Sequence, residues 1–161
     1  MRRMSHRAGG QISRFVAAVL IVSSQLAVTA QDIPARAWAG KWKINLAQSS
    51  FPGRPAPRDD ELTIEADGTV TVFETNSQGK KSSWSYKPQA GRRVTVSGRE
   101  NWTVIARKVN DHRTEQEWNF NGHMAKSWAI LSEDGKRQTF HLSGTNEAGK
   151  PFHQVVVYDR Q

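Results

Sequence analysis

The feature that most constrains this chain is a loop that recurs along it. Ala66-Asp67-Gly68, Ser77-Gln78-Gly79, Gln89-Ala90-Gly91, Phe120-Asn121-Gly122, Glu133-Asp134-Gly135 and Glu147-Ala148-Gly149 all end in glycine, and each lies between runs that alternate apolar with polar residues. Glycine at the third position suits a type I turn closed by a left-handed residue, because glycine alone takes positive φ without steric cost. Such a loop also sets register, since alternate residues of a strand face opposite sides of the sheet. The rule pairs Ile64 with Val70, Leu62 with Val72, Val72 with Trp84, Val70 with Tyr86, Tyr86 with Val94 and Trp84 with Val96. Farther along it pairs Trp118 with Met124, Trp128 with Phe140, Ile130 with Gln138, Phe140 with Val156 and Leu142 with Gln154.

The apolar members of these pairs all carry even numbers, as do Trp42, Ile44, Leu46, Trp102, Val104 and Tyr158. The odd face is mainly Thr, Ser, Glu, Arg and His, with Phe73, Ile105, Leu131, Val155 and Val157 as exceptions. No segment of helical period interrupts the series. About ten short antiparallel strands sharing one apolar face lead to an all-β fold, an antiparallel up-and-down β-barrel, which removes sheet edges without crossing connections. Two packed sheets are the alternative closure. The strings Thr75 to Lys80 and Thr145 to Lys150 are alike, and repeated use of one turn suffices to explain them.

Residues 1–30 read as a signal peptide. Arg2, Arg3, Arg7 and Arg14 precede or interrupt the start of an apolar run from Phe15 to about Val28, and small residues end it at Ala30. That run is too short for a membrane span, with a signal anchor as the alternative. A periplasmic or secreted protein is therefore expected, with no stable membrane insertion. Four of the 23 Lys and Arg residues lie in this leader, leaving 19 against 15 Asp and Glu, a net +4. These charges are interspersed, which gives no support to nucleic-acid binding. With no cysteine, neither disulfides nor thiol chemistry are available. The remaining ~130 residues suit one domain burying roughly two-thirds of its unfolded surface.

Residues 31–39 form a lead-in and 40–161 the barrel domain. The first strand is expected over Gly40 to Leu46, and Ala47 to Asp59, with Pro52, Pro55 and Pro57, reads as a crossing loop outside the sheet. At Gly40-Lys41-Trp42 the chain resembles the lipocalin and wider calycin superfamily, whose first strand carries G-x-W. The segment from Gly40 through Pro57, with the terminal D-G-K, G-T-N, G-K-P and V-Y-D strings, is similar to small exported bacterial proteins described as lipocalin-like. That resemblance implies a barrel, ligand carriage, and an Arg packed over the first-strand Trp, here Arg160 over Trp42. A T-D-Y motif is lacking, and ten strands match a fatty-acid-binding-protein-like calycin better than an eight-stranded lipocalin.

On the even face, Gln116, Lys126, Gln138 and Gln154 accompany the apolar residues. The register sets Gln116 opposite Lys126, Lys126 opposite Leu142 and Leu142 opposite Gln154. A lysine inside a barrel is costly unless paired or wet. Two readings follow. Lys126, with Gln116 and Gln154, receives the anionic head of an amphiphile whose body lies against Trp84, Tyr86, Trp102, Trp118, Trp128, Phe140 and Tyr158. Alternatively Lys126 snorkels at a rim and the aromatics fill the barrel.

His141 and His153 lie diagonal on the odd face without a third metal ligand, and no cofactor is implied. No G-x-S-x-G elbow, phosphate loop or H-E-x-x-H motif is present, so catalysis is not expected. The sequence thus points to a monomeric, non-catalytic carrier of a small hydrophobic or acidic amphiphilic ligand. Its rival is a filled barrel whose outer surface binds a protein or cell-wall component through Arg92-Arg93, Arg99, Arg107-Lys108 and the Pro52 to Pro57 loop.

Overall fold

The structure is a computed structural model that describes residues 35–146 and 148–161. Residues 1–30, where a signal peptide is expected, and the first four lead-in residues lie outside the described residues, as does Glu147. Among those described, no helix is long and apolar enough to cross a membrane.

A short helix, α1 (Ala35–Trp38), precedes ten strands: β1 (Gly40–Ile44), β2 (Asp59–Ile64), β3 (Val70–Thr75), β4 (Lys81–Tyr86), β5 (Arg93–Thr95), β6 (Trp102–Asn110), β7 (Arg113–Phe120), β8 (His123–Leu131), β9 (Arg137–Thr145) and β10 (Pro151–Arg160). They form one antiparallel sheet in chain order, and β1 pairs with β10 to bend it round on itself. The two edges, β4 and β5, meet through Ser85 and Ser97, whose backbones exchange hydrogen bonds of 3.0 and 2.8 Å. The fold is an all-β, antiparallel, nearly closed ten-stranded barrel, and a two-sheet sandwich is excluded.

The glycine-ended loop forms as read in three hairpins. Gly68, Gly79 and Gly149 have φ of 85°, 84° and 71°, and their N–H groups donate to Glu65, Asn76 and Asn146. The β2–β3, β3–β4 and β9–β10 registers follow, including Leu62 with Val72, Val72 with Trp84, and Phe140 with Val156.

Three connections depart from the rule. Between β7 and β8, Asn121 (φ 53°) and Gly122 (φ 92°) make a two-residue turn, and Phe120 faces His123. Asparagine tolerates the left-handed region, so Asn-Gly supplies the two positive φ values that a tight hairpin of matching twist needs. Trp118 therefore faces Ala125 rather than Met124, and Gln116 faces Ser127 rather than Lys126. Between β8 and β9 the loop has four residues: Ser132 donates its N–H to Arg137, and Asp134 Oδ1 accepts from both Ser132 Oγ (2.6 Å) and Lys136 N (3.0 Å). Leu131, not Ile130, then faces Gln138, and Trp128 faces His141 rather than Phe140.

The two one-residue shifts cancel. β9 and β10 return to the expected phase while β8 alone is turned over. Ala125, Ser127, Ala129 and Leu131 point inward and are buried; Lys126 is exposed, as are Met124 and Ile130.

The third departure lies at the seam. The β4–β5 turn closes on Ala90-Gly91 between Gln89 and Arg92, and the facing of Ser85 with Ser97 shifts the expected Tyr86–Val94 and Trp84–Val96 pairs by two residues. Gly98 (φ 81°) is required there, because a Cβ on it would stand 2.6 Å from the Ser83 carbonyl oxygen.

The first strand ends at Ile44, and Leu46 begins a 3-10 turn with its side chain exposed. The proline-bearing segment that follows is ordered against β10: Ser50 and Val155 exchange backbone hydrogen bonds, and Ser49 Oγ accepts from Val157 N at 2.9 Å. At the opposite end, buried Trp38 donates its indole N–H to Asp111 O (2.9 Å), and Trp42 donates to Trp38 O (3.0 Å). This end of the barrel is plugged by indoles.

Candidate functional site

The barrel is hollow. Its interior holds a cavity of ≈ 750 Å³ that reaches from Trp38 at the plugged end to the Pro52–Arg54 segment, Asn121, His123 and Asn146 at the other. Hollow space follows from the turned-over strand: β8 offers Ala125, Ser127 and Ala129 to the interior, where a Trp and a Lys would otherwise stand. Small side chains on one wall leave room that large ones on the facing walls do not fill.

The aromatic wall is continuous. Trp84 stacks on Tyr86 with centroids 6.1 Å apart, Tyr86 meets Trp118 edge-on at 5.4 Å, Trp118 stacks on Phe120 at 5.4 Å, and Phe120 meets Trp102 at 4.6 Å. Burial pushes the Tyr86 phenol well above its ordinary value, which keeps it neutral. Leu62, Val72, Phe140 and Val156 line the rest of the apolar surface.

Of the residues singled out from sequence, Gln116, Gln138, Gln154, Trp84, Tyr86, Trp102, Trp118, Phe140 and Tyr158 line this cavity. Lys126 and Trp128 do not. The β8 phase puts both on the outer wall, where Trp128 stacks on His141 (4.7 Å between centroids, 9° between planes) beside His153. Desolvation, with His153 and Arg113 nearby, holds the His141 imidazole below its ordinary pKa. Lys126 therefore cannot receive a ligand's head inside the barrel, and the lateral row proposed through it does not exist. Among the described residues no group of three or more metal-ligating side chains is present.

Two polar constellations face the cavity. In the first, Trp118 Nε1 donates to Ser127 Oγ (2.9 Å), Ser127 donates to Gln116 Oε1 (2.5 Å), and Gln116 Nε2 donates to Thr114 Oγ1 (2.9 Å). This chain is internally satisfied and serves to fix the indole. The second is not satisfied. Asp60 lines the cavity, and its Oδ1 is buried without a hydrogen-bond donor from the protein. Burial, then the neighbouring Glu74 carboxylate, push Asp60 up to about 7, while the nearby Tyr158 hydroxyl acts in the opposite sense. Burial and the adjoining Asp60 raise the Tyr158 phenol well above its ordinary value. Gln138, 3% exposed, faces Tyr158 across the β9–β10 pair, and its Nε2 has no acceptor.

The even-numbered rule that located the wall also places Asp60 and Glu74 inside, but their acidity reads as surface in an alternating strand. Arg54, which stands over the Phe51 ring at 5.3 Å and borders the cavity, lies on a proline-rich loop whose docking no local pattern predicts.

Solved structures with the same architecture exist. A Schistosoma mansoni fatty acid binding protein in complex with arachidonic acid superposes with a TM-score of 0.51 at 14% identity, covering 80% of this chain and 98% of that one. The wild-type fluorescent protein UnaG superposes with a TM-score of 0.53 at 16% identity, covering 79% of this chain and 99% of that one. The chain shares the fatty-acid-binding-protein-like barrel fold of these structures. No family model matches the chain, and no curated protein matches it in sequence.

Proposed function

We propose that this chain is a non-catalytic binding protein that holds one small hydrophobic or amphiphilic molecule inside its barrel. The observation that carries this reading is the ≈ 750 Å³ interior walled by Trp84, Tyr86, Trp102 and Trp118, with a few polar groups at defined places. Ligand sites of about 300–1,000 Å³ are typically apolar with sparse, placed polar atoms. The fatty acid binding protein of the same fold is in complex with arachidonic acid, and a guest of similar apolar bulk is in keeping with the cavity here. A surface module with a filled barrel was the rival, and the cavity removes its premise. The signal peptide expected over residues 1–30 supports action in the periplasm or outside the cell, and the cavity is walled by residues of one chain.

Native mass spectrometry of the protein purified from its own host, followed by denaturing extraction, tests the reading. A stoichiometric apolar guest is the expected result. A protein that carries none, and that leaves the neutral dye Nile red unbound, would sink it.

A further inference from the structure

One level of the cavity wall specifies the polar end of the guest. Register places Gln138 opposite Tyr158, Tyr158 opposite Ile44, Asp60 opposite Glu74 and Glu74 opposite Ser82. Lys43 faces Glu61 across β1 and β2, which brings Ile44 to Asp60 and joins these residues into one lateral row. Within that row the charged groups are two carboxylates. Glu74 has a cation, since Arg99 Nη2 lies 3.5 Å from its Oε2 and bonds Ser82 at 2.9 Å. Asp60 lies near the Tyr158 hydroxyl, and its Oδ1 has no partner in the protein. Arg54 borders the cavity, but it is exposed on its loop with the guanidinium over Phe51.

The unmet requirement at Asp60 is therefore a hydrogen-bond donor. A buried acceptor left unpaired costs free energy that a donor on a guest recovers, and the gain is greatest when one partner is charged. A carboxylate placed there would face the Asp60 carboxylate once that group is ionised, with Arg99 already engaged by Glu74. Resting on the interior-binding reading above, we propose that the cavity selects an apolar molecule whose polar end donates hydrogen bonds and carries no negative charge, an ammonium or a hydroxyl, with Asp60 as the group it meets. Gln138 Nε2, buried and without an acceptor, offers the complementary donor for an oxygen elsewhere on the same guest.

The two donor classes separate by pH. The groups facing Asp60 are Glu74 from β3, Tyr158 from β10, Arg54 from the loop and Asp59 on its own strand. Because Asp60 titrates at about 7, an ammonium loses affinity as the pH falls and the carboxyl takes up its proton. A hydroxyl, which needs only an acceptor, changes little.

The test displaces Nile red from the purified protein with dodecylamine, dodecanol and dodecanoate, each at about pH 8 and about pH 5.5, either side of the Asp60 midpoint. At the higher pH the amine or the alcohol is expected to displace the dye at roughly one-tenth of the dodecanoate concentration or less. An advantage confined to the amine, and shrinking at the lower pH, identifies the ion pair; one shared by the alcohol at both pH values identifies the neutral hydrogen bond. Asp60→Asn should still take up Nile red, which shows that it folds, and should lose the amine's advantage and its pH dependence. Dodecanoate matching or exceeding both donors in the wild type overturns the proposal and leaves interior binding intact, as does an Asp60→Asn variant that keeps the amine's advantage with the wild-type pH dependence. Failure of the wild-type protein to bind the dye and all three chains overturns interior binding itself. The pH dependence of the wild type reads Asp60 without any substitution.

Discussion

The guanidinium of Arg160 lies over the indole of Trp42, 4.1 Å from its centroid, and donates to the carbonyls of Gly135 and Ala37, each at 2.6 Å, and to that of Ala39. One side chain thus ties the end of β10 to the β8–β9 loop and to the segment entering β1. Gly40 makes room for it, since a Cβ there would sit 2.8 Å from Arg160 Nη1. Arg160→Ala should cost about 2–4 kcal/mol in urea unfolding, from the lost cation–π contact and charged hydrogen bonds. Arg160→Lys should recover less than half, because an ammonium cannot span three carbonyls and an indole face. A loss below about 0.5 kcal/mol for Arg160→Ala, the size of an ordinary surface change, would show that the tie is ornamental.

The phase of β8 can be read with thiol reagents, because the chain has no cysteine of its own. Lys126→Cys should react at close to the rate of a free thiol, whereas Ser127→Cys should be protected by on the order of a hundredfold in the folded protein, as burial of the thiol requires. Equal rates at the two positions would refute the two-residue Asn121-Gly122 turn. Lys126→Met, for the same reason, should leave the affinity for any interior ligand unchanged.

Ser127 joins the Trp118 indole to Gln116. Ser127→Ala leaves a buried donor and a buried acceptor unpaired, and should destabilise the protein by about 1–3 kcal/mol. Blue-shifted or heterogeneous tryptophan emission should accompany the loss, as Trp118 gains freedom within the aromatic wall. Thermal and urea unfolding of the variant measure the first effect directly.

Asp60 makes stability depend on pH in a sense opposite to the common salt-bridged carboxylate. Its folded-state pKa, about 7, lies above the ordinary 3.8, so between those values the folded state holds a proton that the unfolded chain has released. Stability from this group is full below about pH 3.8 and is lost as pH rises to about 7. The loss should be of order 2 kcal/mol once solvent in the cavity is allowed for. Asp60→Asn should flatten that part of the stability profile, measured by urea titration at intervals from about pH 4 to about pH 8. A variant with the wild-type slope would place the proton elsewhere.

Much of this architecture was legible in local chemistry. Asp67-Gly68, Gln78-Gly79 and Ala148-Gly149 each put glycine where a left-handed residue closes a three-residue loop, and the pairings of β2 with β3, β3 with β4 and β9 with β10 follow from that alone. The phase of β8 was not legible, because both of its faces carry apolar residues: Met124, Trp128 and Ile130 on one, Ala125, Ala129 and Leu131 on the other. Hydrophobic alternation cannot choose between such faces. The choice fell to Asn121, whose tolerance of positive φ permits a tighter turn, and to Asp134, whose carboxylate organises a longer one at the other end. Leu131, an apolar exception on a polar face, was the local sign that β8 had turned over.

The sequence by itself determined a ten-stranded antiparallel meander and most of its aromatic wall, because strand alternation and turn glycines act over a few residues and repeat. Only the tertiary structure decided that the barrel is hollow, that Lys126 stands outside it, and that Asp60, Tyr158 and Gln138 share one level of the wall. Those facts depend on strands distant in the chain meeting in register. A one-residue difference in a single turn exchanges every side chain between the interior and the solvent.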